Sequence, residues 1–241
     1  MMRSVVHRSE ERGKADFGWL QARQSFSFGR YFDPEKIHFG ALRVLNDDYI
    51  AGGRGFDTHS HDNMEIVTIP LEGSLRHKDS MGHEAVIRPG DIQVMSAGTG
   101  ISHSEFNHLS DQPCKLLQLW MFPREKGVEP RYGDLALNWE NKKNELIQII
   151  SPNPGDDEGS WVHQDAWLHL GKFDVDQKLT YQIKKETNGV YVFVIEGEIQ
   201  IGSERLERRD AIGIWEDKDV EIEIKADSHL LLIDVPMEVR Y

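Results

Sequence analysis

Short runs of β-branched and aromatic residues, broken by Gly, Asp and Asn, recur along the whole chain, and helical periodicity is weak throughout. Ile66-Val67-Thr68-Ile69, Ile92-Gln93-Val94-Met95 and Leu116–Phe122 are such runs. Glu145–Ile150, Tyr191–Ile195, Glu198–Ile201 and Leu230–Val235 repeat the pattern further on. Val220–Ala226 alternates apolar with charged residues, as a strand with one buried face does. Many strands separated by turn residues predict an all-β barrel or sandwich architecture.

The two halves share an outline. A strand ends in Leu71-Glu72-Gly73, a hairpin follows, and Arg88-Pro89-Gly90-Asp91 precedes the next strand. Later a strand ends in Ile195-Glu196-Gly197, a hairpin follows, and Arg208-Arg209-Asp210 precedes another. Gly73 and Asp91 are 18 positions apart, Gly197 and Asp210 13 apart. This is the expected signature of a duplicated barrel whose first copy has the longer hairpin, Lys78–Ala85. Residues 123–144 are charged and contain Pro123, Pro130 and Gly133, and they read as a linker; Ser151–Ser160 reads as a surface loop. The reading divides the chain into residues 1–130 and 131–241, with the N-terminal strand free to pair with either barrel.

Two residue pairs carry chemistry. Residues i and i+2 of a strand project from one face. His59-Ser60-His61 thus offers two imidazoles to one ion, and His103-Ser104-Glu105 repeats the spacing with a carboxylate. If these strands face each other across a barrel, three neutral nitrogens and one anionic oxygen converge. That set suits one divalent transition metal: Fe, Mn, Co, Ni, Cu or Zn. A closed structural zinc site would ordinarily use thiolates. Glycines flank both pairs: Gly52, Gly53 and Gly55 before the first, Gly98 and Gly100 before the second. His77 and His83 are expected on the surface, flanking the hairpin. His38, His108, His163, His169 and His229 lack a partner at ligand spacing, and the second half has no His-x-His. Glu65 reads equally as a pocket residue or as half of a hairpin salt bridge. Cys114 reads as a small buried hydrophobe. Phe26, Phe28, Phe56 and Met64 are candidate pocket walls that core packing explains equally well.

Net charge is −13, which disfavours contact with nucleic acid or an anionic membrane. The single cysteine allows no internal disulfide, and the longest apolar run, Val190–Ile195, is far too short to span a membrane. With no apolar stretch near the N-terminus to act as a secretory signal, a cytoplasmic protein is expected.

The spacing Gly53, His59-Ser60-His61, Glu65 resembles the first motif of the cupin superfamily, with Gly73 one position late. Pro89-Gly90-Asp91 opens a looser second motif, and His103 lies two residues late, followed by Glu105. This departure is similar to the pirin branch. Phe39–Asn46, Gly55–Glu65 and Ser96–Glu105 all resemble pirin N-terminal sequence, and the likeness runs from about Ser25 to Phe122. The resemblance implies a bicupin fold: two double-stranded β-helix (jelly-roll) barrels packed together. It implies a metal, iron(II) first, held by His59, His61, His103 and Glu105. It also implies quercetin 2,3-dioxygenase activity, with a flavonol and dioxygen as substrates and the heterocycle opened with loss of carbon monoxide. Glu105 is then the candidate base for the flavonol 3-hydroxyl. Two alternatives stand beside it: a metal-dependent regulatory module with a protein partner, and another cupin chemistry such as an isomerase or a thiol dioxygenase.

Overall fold

Alternation of side-chain direction turns the branched runs into strands, and left-handed glycines close them: Gly73 (φ 74°) and Gly197 (φ 85°) end equivalent strands in the two halves. The computed structural model describes residues 3–137, 139, 142–155 and 159–239. The first half contains β1 (Arg3–His7), a 3-10 turn (Ser9–Glu11), β2 (Gly13–Asp16), β3 (Leu20–Gln24), β4 (Leu42–Ile50), β5 (Gly55–His61), β6 (Glu65–Glu72), β7 (Leu75–Asp79), β8 (Glu84–Ile87), β9 (Asp91–Ser96), β10 (Ile101–Asn107), β11 (Cys114–Met121) and β12 (Arg131–Ala136). The second contains β13 (Leu146–Ser151), β14 (Ser160–Trp161), β15 (Trp167–Phe173), β16 (Gln177–Gln182), β17 (Asn188–Glu196), β18 (Glu198–Ile201), β19 (Glu204–Glu207), β20 (Ala211–Trp215), β21 (Asp219–Ile224) and β22 (Ser228–Pro236).

The duplication is visible in the sheets. One seven-stranded sheet runs β12-β9-β6-β11-β4-β3-β2 and the other β1-β20-β17-β22-β15-β13-β14. Each faces a four-stranded sheet, β5-β10-β7-β8 in the first barrel and β16-β21-β18-β19 in the second. The edge position that β12 takes beside β9 is taken by β1 beside β20. The N-terminal strand therefore joins the second barrel. Residues 123–144, read as a linker, hold β12, which joins the first. The Ser151–Ser160 loop reaches residues 156–158, which lie outside the described residues.

The two seven-stranded sheets pack against each other through Val67, Leu117 and Leu119 on one side and Ile149, Leu168, Leu231 and Ile233 on the other, with Phe39 and Tyr191 between. The barrels differ inside. The second is filled by one apolar core that includes Val190, Val192, Ile212, Ile222 and Leu232. The first has two small apolar clusters, one around Leu20, Ile50 and Leu116, the other around Ile66, Met95 and Ile101. Between them the register aligns a polar row across five strands: Gln24, Asn46, Gln118, Thr68 and Gln93. Oxygens of Gln24, Asn46, Thr68 and Gln93 are buried without a protein partner. Each unpaired group costs about 1–3 kcal/mol, so such a belt calls for water or a ligand inside the first barrel and not the second.

Candidate metal centre

The strands bearing the two donor pairs are hydrogen-bonded neighbours rather than opposite walls. β10 pairs with β5 so that His103 lies against His59 and Ile101 against His61. Alternation then sends His59, His61 and His103 into the barrel together. Their ring centroids are 4.5–4.9 Å apart, and their ligating nitrogens lie within 4.8 Å of one another. Trp120 stands edge-on to His61 at 4.9 Å and to Phe28 at 5.2 Å, bracing one side of the trio.

The electrostatics leave lone pairs available. Burial, and after it the neighbouring His59, pushes His61 down to about 4. Burial, then His59, His61 and His77, pushes His103 down to about 2. Both are neutral at pH 7. His59 donates its Nδ1 proton to the Asp57 carbonyl at 2.8 Å, which leaves Nε2 bare. His61 Nε2 and His103 Nε2 are 3.0 Å apart. Two nitrogens each about 2.1 Å from one ion and at right angles to it stand about 3.0 Å apart. The trio fits a cation.

Glu105 follows a bulge in the β5 pairing, between His103 and Glu105, and lies opposite His77 on β7. Its carboxylate groups with His103 and His77 within 4.8 Å, not with the full trio. Oε2 accepts the Gln118 amide at 2.9 Å, while Oε1 is buried without a partner. Burial raises its proton affinity against the Gln118 hydrogen bond and the charge of His59. An orphaned carboxylate oxygen beside three imidazoles is the donor set a divalent ion takes.

A cavity of about 690 Å³ opens onto His59, His61 and Glu105. Leu20, Ala22, Phe28, Phe56 and Trp120 give it apolar walls, with Gln24, Asn46, Asp48 and Gln118 as polar points. Asp48 is pushed up to about 8, first by burial and then by the charges of Asp47 and Glu105. Of the other candidate walls, Phe26 packs in the core between the sheets and Met64 against the Ile66 cluster. Among the described residues no helix is long and apolar enough to cross a membrane.

The placement of His77 corrects the sequence expectation: it is fully buried, touching His103, with Nδ1 to Nδ1 at 3.4 Å. His83 is exposed, as expected, and its Nδ1 lies 3.1 Å from Asp79. Burial alone would raise Asp79, but the His83 backbone N–H, the His77 ring and the charge of His83 outweigh it and hold Asp79 below the usual carboxylate range. His77-Lys78-Asp79 has the same i,i+2 spacing as the two recognised pairs, and that spacing is the signal that could have found it. Glu65 serves neither expected role. It begins a different strand from His61 and takes a hydrogen bond from the Ser96 hydroxyl. Cys114 is buried, as expected, and burial pushes its thiol up to about 12. Asp48 was also passed over, because Asp47-Asp48 reads as an exposed acidic pair until strand direction separates the two.

Comparison with known proteins agrees with this architecture. Residues 5–121 match the Pirin family, and residues 148–235 match the quercetinase C-terminal cupin domain. The chain is 39% identical over 236 residues to a quercetin 2,3-dioxygenase of Escherichia coli strain K12, covering 96% of this chain and 98% of that protein. It is 34% identical over 222 residues to a pirin-like protein of Caulobacter vibrioides, covering 92% and 95%. The crystal structure of the bacterial pirin YhhW from Escherichia coli in complex with nickel(II) superposes with a TM-score of 0.92 at 37% identity, over 98% of this chain and all of that one. The duplicated barrel, the histidine trio inside its first copy and these full-length likenesses together place the chain in the pirin family of bicupin proteins, alongside quercetin 2,3-dioxygenases.

Proposed function

We propose that the protein is a metal-dependent flavonol 2,3-dioxygenase acting on quercetin-like substrates with dioxygen. The observation that carries this reading is the apolar cavity ending on His59, His61 and Glu105. Its volume of about 690 Å³ lies in the range of about 300–1,000 Å³ common to sites for small organic ligands. His59, His61, His103 and Glu105 would hold one divalent transition ion, iron(II) being the first choice and nickel, manganese, cobalt, copper and zinc the others. When bound, the ion supplies Lewis acidity that eases deprotonation of a hydroxyl beside it.

The chain's own residues do the rest. Phe28, Phe56 and Trp120 offer aromatic faces to a planar ring system and exclude water from it. Glu105, its Oε2 held by Gln118, would give Oε1 to the ion and would have to release it there to take the proton of the flavonol 3-hydroxyl, and burial gives it the raised proton affinity a base needs. Asp48, kept protonated at neutral pH, is a hydrogen-bond donor for a substrate oxygen elsewhere in the cavity.

In this reading residues 1–130 form a metal-binding cupin domain and residues 131–241 a cupin domain without metal ligands, each lending one edge strand to the other. The inner faces of β16 and β21, which correspond to the ligand strands, carry Leu179, Tyr181, Val220, Ile222 and Ile224. The test is to purify the protein without a chelating column, measure bound metal, and follow aerobic quercetin loss with and without a chelator. Stoichiometric metal with chelator-sensitive turnover is expected. Stoichiometric metal without turnover sinks the dioxygenase reading and favours the regulatory one.

A further inference from the structure

Strand β7 carries a donor pair that the four-ligand reading does not use. His77 and Asp79 stand at i and i+2 on the face shared with β10, where Glu105 pairs with His77 and His103 with Asp79. Both are buried, His77 completely. Asp79 Oδ1 accepts the backbone N–H groups of Met81 at 2.9 Å and His83 at 3.0 Å. Its Oδ2 lies 3.4 Å from His77 Nε2. His77 Nδ1 lies 3.4 Å from His103 Nδ1, and His103 Nε2 points to His61. Tyr132 from β12 stacks on His83, with centroids 4.8 Å apart and planes 16° apart, and stands 5.2 Å from His77, closing the pair off from solvent.

This order admits one consistent placement of protons. A carboxylate only accepts, so His77 Nε2 carries the hydrogen and donates it to Asp79. The Nδ1 of neutral His77 is then bare and accepts. His103 Nδ1 must therefore be the N–H that donates to it, which leaves His103 Nε2 bare and directed at the trio. His77 is thus no further ligand of the trio's ion, since its free nitrogen faces the remote side of the His103 ring.

We propose that Asp79 and His77 are positioning residues of the metal centre, fixing His103 in the tautomer and ring orientation whose Nε2 binds the ion. The inference rests on the proposed ligand set. Outer partners of this kind govern metal affinity through the ring they orient. A bland role is also available, since Asp79 caps the turn after β7, and the decisive variant must leave that cap intact.

Asp79→Asn does so. The amide oxygen can keep the Met81 and His83 bonds while its NH₂ replaces the acceptor facing His77 with a donor. His77 must then carry its hydrogen on Nδ1, His103 loses its acceptor, and the hydrogen of His103 is driven to the metal-facing Nε2. The full-length protein, stripped of metal, is titrated with nickel(II) against a chromophoric chelator, and the visible spectrum of the cobalt(II) form is recorded. Asp79→Asn should weaken nickel binding by about 10–100-fold and change the cobalt spectrum while the metal-free melting temperature holds. Wild-type affinity with an unchanged spectrum overturns the proposal. Should Asp79→Asn lower the metal-free melting temperature, His77→Gln and His77→Leu decide. The glutamine carbonyl can still accept from His103 and should rescue most of the affinity lost with leucine, and equal affinities overturn the proposal. A wild type that binds no nickel removes the ligand reading and this inference together; a wild type that binds while the variants are indifferent removes this inference alone.

Discussion

Arg209, in the turn before β20, places Nε 2.7 Å from Oδ2 of Asp47 on β4, and this ion pair ties the second barrel to the back of the sheet that floors the first. Arg209 also donates to the Ile195 carbonyl, and Arg12 brings a second guanidinium 3.5 Å from the same carboxylate oxygen. Asp47 therefore neutralises two largely buried cations. Removing one partner of a buried pair leaves an uncompensated charge and costs about 3–5 kcal/mol. Asp47→Ala should lose that much in urea denaturation, and a loss under about 1 kcal/mol would show the pair to be no better than a surface bridge.

Glu105→Gln should separate binding from chemistry. The amide keeps a carbonyl oxygen for the ion and stays near Gln118, but it cannot take a proton. Nickel binding should persist, weakened, while quercetin turnover falls by about 10²–10⁴-fold, the range for loss of a general base. Wild-type turnover in this variant sinks the base assignment.

Gly55 lies on β5 just past the bulge in its pairing with β10. A Cβ there would overlap the Glu105 carbonyl and stand 2.5 Å from the Phe106 Cα, and backbone cannot yield as a side chain does. Gly55→Ala should cost about 1–3 kcal/mol by overpacking and should also weaken metal binding by shifting Glu105. Gly155→Ala, where a Cβ meets nothing within 4 Å, is the matched control and should be neutral in both measurements.

Acid should destabilise the metal-free fold through histidines remote from the centre. Burial pushes His169 down to about 3, and the charge of Lys184 adds to it; burial pushes His229 down to about 3, with Lys172 and Arg209 adding. Unfolded, each titrates near 6.5, so below that pH the unfolded chain binds more protons. Their contribution is whole above about pH 6.5 and is lost as pH falls toward the folded values, by about 1.4 kcal/mol per pH unit for each histidine. Urea denaturation between about pH 7 and about pH 5 should show this slope, and His169→Gln should reduce it by roughly one proton. An identical slope in the variant shows that His169 charges without penalty.

The strands, the duplication and the histidine pairs were legible because each depends on local repetition. A period of two fixes which residues share a face whatever lies beside the strand, so His59 with His61, and His103 with Glu105, were certain to point together once the runs formed strands. The same rule covered His77 and Asp79, but Lys78 and the hairpin beyond make that segment look like a solvated loop. The exchange of β1 and β12 was not legible. Both edges offer the same unpaired backbone, and the choice depends on where the connecting chain can reach.

The sequence by itself determined the all-β fold, its repetition and the choice of candidate donors, because alternation and turn chemistry act over a few residues. Tertiary structure decided that β5 and β10 are neighbours, that the register of β10 on β7 sets Glu105 opposite His77, and that Asp79 stands behind His103. Those placements come from pairing between residues 20 to 50 positions apart, where register and burial, not local preference, set which atoms meet.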